Sequence, residues 1–129
     1  MVFVITPMVV TAASGQPLEE GEPVYFDPET CEVYWANSMR AGVSTDTLLR
    51  FPNIRQVDIM RTYVSHLNDR SVANRFRGLT DEVFWNRFWK EFDDDGFRLS
   101  NYSLFEDSFL LQTVTTWCRD NGIPYYVAS

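Results

Sequence analysis

Residues 83–92 read Val-Phe-Trp-Asn-Arg-Phe-Trp-Lys-Glu-Phe, so five large rings fall between Phe84 and Phe92. Phe84, Trp85 and Phe88 stand at i, i+1 and i+4, and Trp89 and Phe92 extend the same broad apolar face of a helix. Such a helix must be buried over most of its circumference or must offer rings to a partner. Thr80 suits its N-cap, and Asp81 and Glu82 suit the positive end of its dipole. The helix is expected to end near Asp93–Asp95, where Gly96 follows. Five rings exceed what one packing stripe needs, so most are expected in the core and one or two partly exposed. Tryptophan beside arginine is the composition of a binding hot spot. Trp85, Arg87, Trp89 and Lys90 are therefore the candidate contact patch.

Working toward the N-terminus, Val57, Met60, Val64 and Leu67 recur with helical period from Ile54 onward. Asn68-Asp69 breaks that helix, and Val72, Phe76 and Leu79 mark a second, short one. Before Ile54 the pattern is that of strands. Val24-Tyr-Phe-Asp leads into Pro28-Glu-Thr and out through Cys31-Glu-Val-Tyr-Trp35. Asp27 followed by Pro28 favours a type I turn between β-branched and aromatic flanks, which predicts a hairpin. Phe26, Val33 and Trp35 would fill its inward face. Residues 37–47 read as a loop, and Leu48–Phe51 as a short strand stopped by Pro52. Residues 2–5 and 8–12 read as one interrupted strand or two short ones around Pro7, followed by a Gly- and Pro-rich loop.

Toward the C-terminus, Ser103-Leu-Phe-Glu106 has the form of a capping box. The helix it would open passes through Leu110, Val114, Trp117 and Cys118. Asn121-Gly122 closes it, with Ile123 as the apolar contact beyond. Tyr125–Val127 offers a final strand. Strands followed by helices predict an α+β domain, a small antiparallel sheet packed on three or four helices. One domain covers residues 1–129: 1–52 mainly strands, 53–121 mainly helices, 122–129 a tail or edge strand.

A chain of 129 residues with 45% apolar and 16% aromatic content can bury a core without staples. Cys31 and Cys118 lie far apart and outside any CxxC pair, which argues against zinc and favours reduced thiols in a reducing, cytoplasmic compartment. The opening MVFVITPMVVTAAS lacks a basic n-region and is divided by Pro7, so it reads as strand and not as a secretory signal. No apolar run reaches the length of a membrane span. Of the net charge of −7, all but one unit belongs to the first 39 residues, through Glu19, Glu20, Glu22, Asp27, Glu29 and Glu32. That distribution disfavours nucleic acid and could attract a basic partner.

Catalytic constellations are not legible. His66 stands alone on a helix flank. Asp93-Asp94-Asp95-Gly96 lacks the alternating ligands of a calcium loop. Glu106-Asp107 falls in the first turn of the predicted last helix, where the helix dipole accounts for it. No phosphate-binding, nucleophile-elbow or HExxH motif occurs, and no cofactor or metal is expected.

The chain resembles an uncharacterised bacterial protein family, UPF number 0158. Three segments carry the likeness: the hairpin VYFDPETCEVYWA, with Cys31 where that family has Gly; LLRFPNIRQVDIMRTYVSHLNDRSVANRFRGL; and VFWNRFWKEF, where Trp85, Arg87 and Phe88 match by type and Asn86 replaces an arginine. TVTTWCRDNGIPY is similar to its closing helix, through Trp117 and Gly122-Ile123. A Gly-Lys that precedes the aromatic run in the family is missing. The likeness spans about residues 22–125 and implies a bacterial origin but no activity.

These observations lead to the expectation of a non-enzymatic binding or adaptor domain that acts through protein contact, with a partner or with a second copy. An acidic decoy of a basic protein, engaged through Glu19, Glu20 and Glu22, is one alternative. A small-molecule binder with a pocket lined by Trp35, Trp85 or Trp117 is the other.

Overall fold

The chain begins with a short strand, β1 (Phe3–Ile5), whose Phe3 and Ile5 are buried. The computed structural model describes residues 2–36, 46–92 and 96–128. Next come α1 (Pro7–Ala12), β2 (Val24–Asp27), β3 (Glu32–Trp35) and β4 (Leu49–Arg50). Four further helices follow: α2 (Gln56–His66), α3 (Arg70–Phe76), α4 (Asp81–Phe92) and α5 (Gly96–Asp120), and the last element is β5 (Tyr125–Val127). The fold is α+β. A three-stranded antiparallel sheet has the order β3-β2-β4, and β1 pairs in parallel with β5.

Residues 8–12, expected as strand, are helical. Thr6 caps α1 by accepting a hydrogen bond from the Val9 amide at 3.2 Å, and Pro7 occupies the first turn, where its missing N–H costs nothing. The β-branched Val9 and Val10 suggested a strand. The Thr-Pro start and the packing of α1 on α5 override that preference.

The hairpin forms as the sequence implies. Phe26 pairs with Val33 and Val24 with Trp35, which places all four on one face. Val24 and Phe26 are buried, whereas Trp35 sits at the open end and is 38% exposed. The Asp27 carboxylate accepts from the Glu29 amide at 2.9 Å, and the Cys31 amide closes the turn on the Asp27 carbonyl at 2.7 Å. Cys31 must adopt φ +58° to do so.

Two aromatic clusters fill the core. In the first, Phe3 packs on Phe26 at 4.8 Å, and the Trp117 ring of α5 meets Phe26 at 5.3 Å and Phe51 at 5.1 Å. In the second, Tyr63 of α2 touches Phe88 and Phe92 of α4 and Tyr102 and Phe105 of α5. The loop before β2 is clamped to the entry of α2. Gly15 donates to the Ile54 carbonyl at 2.7 Å, and Gly21 donates to Asn53 Oδ1 at 2.6 Å. A Cβ on Gly15 would stand 2.7 Å from Asn53 Oδ1 and 3.0 Å from the Ile54 carbonyl, so the close approach requires glycine.

The last helix differs from expectation at its start. Ser103 does not cap it: α5 begins at Gly96, and Ser103 is an exposed residue within it. Glu106, the other half of the supposed capping box, accepts instead from the Tyr102 hydroxyl at 2.8 Å. The rings of Tyr102 and Phe105 are held against Tyr63, which anchors a turn that local sequence alone would leave outside the helix. The end of α5 is as expected. Gly122 adopts φ +65°, and the Ile123 amide reaches the Cys118 carbonyl at 2.8 Å. Asp93–Asp95, and residues 37–45 of the expected loop, lie outside the described residues.

Because an L-residue in the left-handed region is strained, Cys31→Gly is expected to stabilise the protein by about 0.5–1 kcal/mol. Urea unfolding checks it: the midpoint should rise with an unchanged slope, while the β-branched Cys31→Val should lower it.

Candidate interaction surface

Helix α4 is fixed at its N-terminus by charge. Asp81 receives Arg55 and Arg61, each at 2.8 Å, and Arg55 also grips Asp58 and the Leu18 carbonyl. Arg61 additionally lies 4.5 Å over the Phe84 ring and donates to the Leu79 carbonyl. The two guanidinium groups hold the Asp81 carboxyl below the usual carboxylate range. Its partners Asp58 and Asp81 raise the Arg55 guanidinium in turn. This cluster joins the loop before β2, α2 and α4.

The helix then divides its aromatic residues. Phe84, Phe88 and Phe92 recur every four residues and are buried. Phe76 of α3 covers Phe84 at 4.8 Å, and Tyr102 of α5 covers Phe88 at 4.9 Å. Trp85 and Trp89 form a separate row beside them. Their rings meet edge to face at 5.6 Å, with Trp85 half-buried and Trp89 36% exposed. Arg87 is not part of that row. Two residues from each tryptophan, it projects about 160° round the helix from both. There it donates to the Arg75 carbonyl at 2.7 Å, on the α3 side, where Arg75 also pairs with Glu91. Lys90 is exposed, about 100° from Trp89. The structure thus brings Trp85 and Trp89 together and sets Arg87 on another side of the helix.

Of the tryptophans proposed to line a pocket, Trp117 borders a shallow groove of about 470 Å³ with Arg50 and Phe109. Trp35 borders one of about 260 Å³ with Cys31 and Met8. Trp85 lines neither of these. A third cleft, of about 380 Å³, lies between α1 and α5 at the carboxyl ends of β1 and β5, with Glu106 and Asp107 in its wall. A helix opened by Ser103 would have these two carboxylates in its first turn. In the structure they lie ten and eleven residues into a 25-residue helix, beyond the reach of its dipole. The signal that could have found them is the helical recurrence of Tyr102, Phe105 and Phe109, which carries the helix back past Ser103.

His66 is exposed on α2. Its Nδ1 lies 2.7 Å from the Thr62 carbonyl, and its ring rests on Phe105 at 5.6 Å. Cys118 is buried and Cys31 half-buried, both free thiols. Burial, with a smaller contribution from Cys31, pushes the Cys118 thiol up to about 11. Glu19, Glu20 and Glu22 are exposed in the loop before β2. Among the described residues no cluster of His, Cys, Asp and Glu is arranged to hold a metal ion, and no helix is long and apolar enough to cross a membrane. No protein-family model matches the chain, and neither a curated protein nor a solved structure does.

The division of α4 is measurable. Phe88→Ala is expected to cost about 3–5 kcal/mol in urea unfolding, since a fully buried ring leaves a cavity. Trp89→Ala, at a half-open position, should cost about 1 kcal/mol. The ion cluster sets a pH dependence. With its native pKa depressed, Asp81 contributes stability above its ordinary value of 3.8, and that contribution is lost as pH falls through the native value. Asp81→Asn should therefore lower the melting temperature at pH 7 and make the further loss below pH 4 shallower than in the wild type, as thermal melts across that range would reveal.

Proposed function

We propose that this protein is a non-enzymatic binding domain that works through protein–protein contact in a bacterial cytoplasm. Its contact surface is the Trp85–Trp89 edge of α4, flanked by Lys90, and a second copy of the chain is the first partner to test. The observation that supports this reading is the 36% exposure of Trp89 beside a half-buried Trp85, on a helix whose three phenylalanines already fill the core. The Trp89 ring meets the core only at its edge, on Phe88 at 5.5 Å, and leaves part of its surface in solvent; tryptophan is among the residues most enriched where interfaces concentrate their energy. Edge-to-face packing on Trp85 holds the exposed ring in place, so that little side-chain entropy is lost on association. Arg87, tied to the Arg75 carbonyl, supports α3 against α4 in this reading and does not itself make the contact.

A second reading, a small-molecule binder, is favoured by the cleft of about 380 Å³ between α1 and α5, a size within the range of ligand sites.

Light scattering tests the first reading. The wild-type chain should show a mass above 15.0 kDa that falls with dilution, and Trp89→Glu should return it to that monomer value without loss of helical circular dichroism. A wild-type mass of 15.0 kDa at all concentrations would remove self-association.

A further inference from the structure

We infer that the cleft at the carboxyl ends of β1 and β5 is a binding site for a small organic cation, an ammonium group on a short apolar body. The cleft opens where the parallel pair ends, at Ile5 of β1 and Val127 of β5. Here Ile5 ends β1 and Thr6 turns the chain into α1, while α5 forms the facing wall. The cleft encloses about 380 Å³. Its apolar surface comes from residues such as Ile5 and Leu110, both buried, which suits a hydrocarbon body.

The polar lining sets the sign of the ligand. Among the described residues of the wall, the charged ones are Glu106 and the exposed Asp107, and no described arginine, lysine or histidine joins them there. The ion pairs seen among the described residues engage Asp58, Asp81 and Glu91, and neither cleft carboxylate. Glu106 is half-buried, with one oxygen, Oε2, taken by the Tyr102 hydroxyl and the other oxygen uncommitted. Both carboxylates sit in the interior of α5, so the helix dipole does not explain them. An ammonium ion there would donate charge-assisted hydrogen bonds to the carboxylates, and the hydroxyl oxygens of Thr6 and Ser14 in the same lining could accept from its remaining N–H groups. An anion would meet two like charges.

The test uses the whole chain and n-hexylamine, with binding read by thermal shift and by titration of amide resonances. Hexylammonium should bind saturably. Hexanol, with the same body and no charge, should bind about tenfold more weakly or worse, the loss expected for one charge-assisted hydrogen bond. Glu106→Gln with Asp107→Asn should weaken hexylamine by a similar factor while preserving the Tyr102 contact, since glutamine still accepts. Thr11→Trp, at an exposed position of the lining, should block the cleft with both carboxylates intact. Trp89→Glu should leave amine binding unchanged, which separates this site from the α4 surface. Absence of saturable binding, hexanol binding as tightly as hexylamine, or unchanged affinity in the double variant would each overturn the assignment. Tighter binding of Nα-acetyl-lysine-N-methylamide than of hexylamine would overturn the free-ligand form, because it would point to a lysine of a protein partner.

Discussion

The Tyr63 ring is the contact on which the helical half depends. It projects from the middle of α2 and meets Phe88 at 6.3 Å, Phe92 at 6.4 Å, Tyr102 at 5.2 Å and Phe105 at 5.3 Å. These four rings belong to two helices, so one side chain of α2 sets the positions of both α4 and α5. The contacts are mostly edge to face, the arrangement that ring quadrupoles favour over stacking. A large ring at this point also fills the volume that three converging helices would otherwise leave empty, and close-packed interiors tolerate little void.

The strands are tied to this half through α5. Trp117, fifteen residues beyond Tyr102 on the same helix, packs on Phe26 of the hairpin and on Phe51 beside β4. α5 therefore belongs to both aromatic clusters. In the charged cluster around Asp81, Arg55 links the loop at Leu18 to the start of α4. Its groups are partly solvated, so its role is to fix orientation more than to supply stability.

What remains on the outside follows from that packing. Once Phe84, Phe88 and Phe92 turn inward, Trp85 and Trp89 are displaced to the flank by the helical repeat alone, and Arg87 is carried to the α3 side. Once α5 extends back to Gly96, Glu106 and Asp107 cease to be end-of-helix residues and become the wall of a cleft. The two candidate surfaces therefore have a common origin, the choice of which face of α4 and α5 meets Tyr63.

Much of the fold was legible in local pattern. The hairpin at 24–35, the periodic run of α2, the Thr80 start of α4 and the Gly122 end of α5 each depend on residues within one or two turns of one another. Turn chemistry and amphipathic period act over that distance, so the sequence determined them by itself. Tertiary structure alone decided the rest. The Thr6-Pro7 helix start outweighed a β-branched run once α1 could pack on α5. The Ser103 capping box was absorbed into a longer helix because the rings on either side of it found Tyr63. The partner of β5 turned out to be β1, at the other end of the chain. Each of these outcomes turns on a contact between segments far apart in sequence, whose energy has no trace in the spacing of neighbouring residues.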